Sequence, residues 1–292
     1  MAAEAATAAL INALNTNSLT SLPTIVANPV LANGDNKPTP LEEYIASIQT
    51  RLSAAPGSTF HLETIVPDTL SAGTRAAVRL RWQGTLSGPY AGADPASAPS
   101  DQPFETWEHA FIRTSTDADG GSNAKIVEIT SVLDTDVLRE QKPSLPRLVR
   151  APAAGAKLGV ADLKALYEAY IACINAHTTD AAHLSSFCNP TVAHNGQELD
   201  LTSYGRLMSD AQAAIDGLNF GIGDLVVDEE GQRVACRIDF SGVPVREFGG
   251  LKPCGGKAVR FTEQVIYHLE GGKIRTVLSI VDLETARRQL AG

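Results

Sequence analysis

The chain has 292 residues, 43% hydrophobic and 20% charged, which suits two soluble globular domains that each bury a core. Its net charge of −9 and isoelectric point near 5.2 argue against nucleic acid or an anionic membrane surface as partner. No stretch approaches the roughly 20 apolar residues of a membrane span. The four cysteines form no CxxC and no Cys/His pair at zinc spacing, so free thiols, a reducing cytoplasmic setting and no metal are expected.

In chain order, MAAEAATAALINALN has no basic region and no long apolar run, and reads as a helix rather than a signal peptide. Thr39-Pro40-Leu41-Glu42 reads as a capping box with proline in the first turn. The helix it opens would bury Leu41, Tyr44, Ile45, Ile48 and Leu52. RAAVRLRW alternates with period two and predicts a strand. SGPYAGADPASAPSDQP, at 87–103, is expected as a mobile loop. KPSLPRLVRAPAAGAKLG carries Pro143, Pro146 and Pro152, and places a connector at 143–159 between a domain at 1–142 and another at 160–292. Beyond it, Leu163, Leu166, Tyr167, Tyr170, Ile171 and Ile174 form one apolar helical stripe, and Leu201, Tyr204, Leu207, Met208, Ala211 and Ile215 belong to the next helix. RVACRIDF, FTEQVIYHL and KIRTVLSIV read as strands, the last two joined by the tight turn Glu270-Gly271-Gly272. PVREFGGLKPCGGK, between RVACRIDF and FTEQVIYHL, is a candidate rim or lid, as is the 87–103 loop.

The two halves repeat each other. Phe60 matches Phe220, Asp68 matches Asp228, Arg75 matches Arg233, Arg79 matches Arg237, and Gly84 matches Gly242. Lys125–Gln141 matches Lys273–Gln289 in the same way. Helices first and strands after predict α+β: two tandem cone-shaped domains, each a curved antiparallel sheet wrapped around helices. The two would pack as an intrachain pseudo-dimer, an expectation that two separated lobes in small-angle scattering would overturn. Whether chains associate further stays open.

Five residues are candidates for chemistry. Asp282 ends a strand whose same-face residues are Thr276, Leu278 and Ile280; desolvation there would raise its pKa, but it also precedes LETARRQL and suits a helix cap, as Asp134 does in the first half. Glu263, with its counterpart Glu108, shares a face with Val265 and Tyr267 and would complete a pair of proton-transfer groups; an exposed strand glutamate or an ion pair is the alternative. Arg237 and Asp239 project from one strand face, as an acid or as an ion pair, where the first half has Arg79 and Arg81. His194 and Asn195 fall in a loop, to donate a proton or to play a structural part. Tyr170, Tyr204 and Tyr267 would pack the core or touch substrate. No phosphate-binding loop, dinucleotide fingerprint or GxSxG elbow is present, so proton transfer without a cofactor is expected.

Tyr170-Ile171-Ala172-Cys173-Ile174-Asn175, Ala193-His194-Asn195-Gly196, REFGGLKPCGGKAVRFTE and GGKIRTVLSIVDLETARRQL resemble the SnoaL-like polyketide cyclases of the nuclear transport factor 2-like superfamily. The resemblance covers nearly all of 160–292 and, through the repeat, 1–142 more weakly. It implies a cofactor-independent enzyme of secondary metabolism that cyclises or isomerises a hydrophobic polyketide- or terpenoid-like substrate. Asp282 would hold the family's acid/base position, with Glu263 as its partner; His194 and Arg237 would stabilise oxyanion charge, and Asn195 would line the pocket. Limonene epoxide hydrolase has a similar Arg-x-Asp, which makes epoxide opening by Arg237 and Asp239 an alternative, although the further aspartate of that enzyme is replaced here by Ser279. A non-catalytic module that holds an apolar ligand is the third reading. The family's Pro-Pro-Thr-Gly turn is Lys252-Pro253-Cys254-Gly255 here and is missing from the first half, so the second half is expected to be the active one.

Overall fold

The computed structural model describes residues 2–32, 38–90, 103–115, 124–140 and 155–291. Most of the loop expected at 87–103 and of the connector at 143–159 lies outside them, as does Asn33-Gly34. The chain divides into two units, Met1–Ser144 and Leu145–Gly292. Among the described residues no helix is long and apolar enough to cross a membrane.

The first unit runs α1 (Ala2–Asn15), α2 (Leu22–Ile25), β1 (Val26–Ala32), β2 (Pro38–Thr39), α3 (Leu41–Ala54), β3 (Thr59–Pro67), β4 (Arg75–Thr85), β5 (Pro103–Thr114), β6 (Ile126–Leu133) and α4 (Thr135–Glu140). Its six strands stand in the order β2-β1-β6-β5-β4-β3. The capping box does not form. Thr39 pairs with Val30 as the end of β2, so Pro40 becomes the N-cap of α3 without a side-chain bond. Asn28 of β1 caps instead, its Oδ1 accepting the Leu41 N–H at 3.2 Å.

The second unit repeats the plan with α5 (Val160–Asn175), α6 (Ala181–Leu184), β7 (Cys188–His194), β8 (Gln197–Asp200), α7 (Leu201–Ala214), β9 (Ile215–Asp228), β10 (Arg233–Pro244), β11 (Val259–Glu270), β12 (Lys273–Val281) and α8 (Leu283–Ala291). Its strand order is β8-β7-β12-β11-β10-β9. Both sheets are α+β cone sheets, and both are mixed. Four strands form the antiparallel run that period two predicts, and a short hairpin joins it by a parallel pairing, β1 to β6 and β7 to β12. The hairpin escapes sequence reading because Cys188–His194 holds a proline and buries only Cys188 and the adjacent pair Val192 and Ala193, so it has no period-two pattern. Gly271 and Gly272 make the two-residue turn from β11 to β12 with φ of 60° and 77°; Asn195 and Gly196, at 45° and 90°, do the same from β7 to β8.

Helices α5 and α7 pack on one face of the second sheet, burying Leu163, Tyr167, Tyr170, Ile171 and Ile174 from α5 and Tyr204, Met208 and Ala211 from α7. Each large apolar side chain buried in this way contributes about 1.5–3 kcal/mol. Gly205 lets α7 approach the segment that precedes α6: a Cβ there would stand 1.9 Å from the Thr179 carbonyl oxygen. The paired residues of the repeat have structural causes. Asn175 at the end of α5 donates from Nδ2 to Phe220 O and accepts the Phe220 N–H, both at 2.9 Å. Asn15 clasps Phe60 in the same way at 2.8 and 2.7 Å. Asp228 takes Arg233 Nε at 2.7 Å across the β9–β10 turn, and Asp68 takes Arg75 across the β3–β4 turn at 3.1 Å.

Candidate active site

Between sheet and helices the second unit encloses a cavity of about 250 Å³. Strand alternation decides what faces it. On β12 the inward residues are Val277, Ser279 and Val281; on β10 they are Ile238 and Phe240; on β11 they include Phe261, Glu263 and Tyr267. Helix α5 supplies Tyr170, α7 supplies Tyr204, Met208 and Ala211, and β7 supplies His194 as its last residue. Phe248 reaches in from the segment between β10 and β11, which pins itself by mutual Phe248–Leu251 backbone bonds of 3.0 and 2.8 Å and by Arg287 Nη2 donating to Gly249 O at 2.6 Å.

Glu263 is the one acidic group among the described lining residues, and no lysine or arginine is among them. Burial pushes its pKa up to about 7, opposed by a hydrogen bond that Ser279 Oγ donates to Oε1. The Ser279 backbone is itself fixed, its N–H donating to Asn195 Oδ1 at 2.8 Å and its carbonyl accepting from Asn195 Nδ2 at 2.9 Å. Burial holds His194 down at about 4, so its imidazole is neutral at pH 7. The Tyr170 and Tyr204 hydroxyls share a hydrogen bond of 2.7 Å, and Tyr170 also reaches Met208 Sδ at 3.6 Å. Burial raises the phenols of Tyr170, Tyr204 and Tyr267, which keeps all three neutral. The cavity therefore holds neutral donors, aromatic walls and a carboxyl group poised to lose or keep its proton near neutrality. Among the described residues no three His, Cys, Asp or Glu side chains group as metal ligands would.

The structure brings Glu263, His194, Tyr170, Tyr204 and Tyr267 together and leaves four other candidates outside. Asp282 is half-buried and caps α8, its Oδ1 accepting the Thr285 N–H at 3.0 Å and its Oδ2 the Thr285 hydroxyl at 2.6 Å. It follows Thr276, Leu278 and Ile280, which point away from the cavity-facing row of β12. Arg237 and Asp239 alternate with the inward Ile238 and Phe240, and so project from the opposite face of β10. They pair with each other at 3.1 Å, the Asp239 side chain 49% exposed. Asn195 spends its amide on Ser279 and shapes a turn; it positions the Glu263 partner and does not line the cavity. His194 ends a strand rather than lying in a loop. Ser279 is the group that sequence reasoning undervalued, although alternation from Val281 back to Val277 already puts it on the Glu263 side.

In the first unit the same register places Glu108 opposite Leu133, as Glu263 stands opposite Val281. Glu108, however, is held by Arg51 Nη1 at 2.6 Å.

The second unit thus holds a cone of sheet and helices around an apolar cavity with one desolvated carboxyl group. The family model of the SnoaL-like polyketide cyclases matches residues 4–141 and again 164–290, and the chain belongs to that family, with two copies in tandem. Among solved structures it is similar to a SnoaL-like polyketide cyclase from Agrobacterium tumefaciens, at 34% identity over 44% of this chain and 97% of that one, with a TM-score of 0.40. It is also similar to TsrD from Streptomyces laurentii, at 25% identity over 46% of this chain and 98% of that one, with a TM-score of 0.41. A search of curated proteins finds no match.

Proposed function

We propose that the second unit is an acid/base enzyme of secondary metabolism that cyclises or isomerises a neutral, hydrophobic substrate of polyketide or terpenoid type. The observation that carries this reading is Glu263, a carboxyl group with its pKa near 7 in an apolar cavity that offers it no cation. A general base is most effective when its pKa lies near the working pH. Glu263 as carboxylate takes a proton from the carbon beside a substrate carbonyl, and the electron pair moves onto that carbonyl oxygen. The neutral His194 N–H or a tyrosine hydroxyl donates to the resulting enolate oxygen. The enolate carbon then attacks a second carbonyl of the same molecule, and protonated Glu263 returns its proton to the new alkoxide. For an isomerisation the proton returns to another carbon instead. Arg237 and Asp239 face away from the cavity, so the geometry does not favour epoxide opening by that pair.

The test needs no knowledge of the natural substrate. β-Tetralone, a neutral bicyclic ketone, exchanges its α-hydrogens for deuterium through an enolate, and proton NMR follows the exchange. The wild-type protein should accelerate it, and Glu263→Gln should lose about 10²–10⁴-fold of that acceleration. Equal exchange with wild type and variant, with binding retained, would replace the enzyme by a module that only holds its ligand.

A further inference from the structure

We infer that the first unit holds a second ligand cavity of the same build, which the side chain of Arg51 keeps filled. The equivalence of the two places rests on several independent matches. Helices α3 and α7 have the same length and set their apolar residues alike: Leu41 and Leu201, Ile48 and Met208, Ala54 and Ala214. By that register Arg51 stands where α7 has Ala211, which lines the open cavity. Phe60 pairs across the strands with Trp82 as Phe220 does with Phe240. Glu108 occupies the Glu263 position.

The guanidinium of Arg51 lies among these counterparts. Its Cζ is 4.2 Å from the centre of the Trp82 ring and 4.7 Å from that of Phe60, and Nη1 reaches Glu108. The cation thus stacks on the aromatic wall and neutralises the carboxylate, two parts that in the second unit would fall to a stacked neutral ligand and to the proton on Glu263 respectively. The fit is incomplete. Nε and Nη2 of Arg51 and Nε1 of Trp82 are buried without a hydrogen-bond partner, as expected of a side chain that fills a space shaped for something else. The inference concerns space and charge and does not depend on the catalytic reading of Glu263.

The experiment counts binding of β-naphthol, a neutral bicyclic aromatic probe, by isothermal titration calorimetry on the full chain. Wild type should bind one molecule per chain. Arg51→Ala with Glu108→Gln, which removes both charges together, should bind two. Ala211→Arg, which places the plug in the second unit beside Glu263, should bind none, and the three substitutions combined should bind one. A wild-type count other than one overturns the inference, as does a count of one for Arg51→Ala/Glu108→Gln with an unchanged circular-dichroism spectrum. If that variant loses its folded spectrum, Ala211→Arg decides by itself: continued binding of one molecule overturns the inference.

Discussion

Ser279 donates its hydroxyl hydrogen to Oε1 of Glu263 while Asn195 grips the Ser279 backbone at both its N–H and its carbonyl. The carboxyl group is thus placed by a residue that is itself placed by a turn. The bond favours the charged form of Glu263 and works against burial, which is the larger effect. Ser279→Ala should therefore raise the Glu263 pKa above its present value. The pH at which tetralone exchange reaches half its maximum should move up by about one unit, the size expected of one hydrogen bond to a charged group. A profile that moves down, or stays in place, would remove Glu263 from the titration that governs exchange.

Glu263 and His194 have opposite effects on stability as pH changes. Glu263 titrates at about 7 in the folded chain against 4.5 unfolded, so the folded state binds more protons between those values. Its contribution is full below about 4.5 and is lost as pH rises through 7. His194 titrates at about 4 folded against 6.5 unfolded, so its contribution is full above 6.5 and is lost as pH falls through 4. Between 4.5 and 6.5 the two largely cancel. Urea unfolding across this range should show Glu263→Gln gaining stability with rising pH relative to wild type, and His194→Gln losing it, each by roughly 3 kcal/mol. Parallel curves for all three proteins would contradict the burial of both groups.

Asp282 should behave as a cap. Asp282→Ala removes both acceptors from Thr285 and should cost about 1 kcal/mol of stability while leaving tetralone exchange within a factor of two of wild type. A loss of exchange as large as that of Glu263→Gln would return the acid/base role to Asp282.

Much of this molecule could be read from its residues. The period-two runs at Arg75–Trp82 and Phe261–Leu269, the stripe from Leu163 to Ile174 and the glycine turn at 271–272 each have a local cause that survives in the fold. The parallel hairpin has no such signal, because a strand with a proline and two adjacent buried residues, Val192 and Ala193, has no period to detect. The site was half legible. Glu263 and Tyr267 share a strand face, as spacing alone requires, whereas the apolar row of Thr276, Leu278 and Ile280 that Asp282 continues lies on the face away from the cavity, which strand alternation alone does not decide. Whether Arg237 and Asp239 face the cavity depends on which side of β10 the helices cover, and only tertiary packing fixes that. Nothing in the sequence singles out Arg51, because a single arginine in an amphipathic helix has the pattern of a solvated residue.

Gly205 offers a prediction whose sign separates tertiary packing from helix propensity. In an exposed helix interior, glycine to alanine gains about 1 kcal/mol. In α7 the new Cβ would meet the Thr179 carbonyl oxygen at 1.9 Å and the Leu184 side chain at 3.1 Å, so the helix has to shift. The carbonyl belongs to backbone and cannot rotate away as a flexible side chain would. Gly205→Ala should therefore destabilise the protein by about 1–3 kcal/mol, the usual cost of overpacking. The helix carries Tyr204 and Met208 into the cavity, so its shift should also weaken β-naphthol binding to the second unit. Thermal unfolding and calorimetric titration of the same variant check both effects. A higher melting temperature with unchanged binding would mean that α7 does not approach residue 179 as closely as the structure shows.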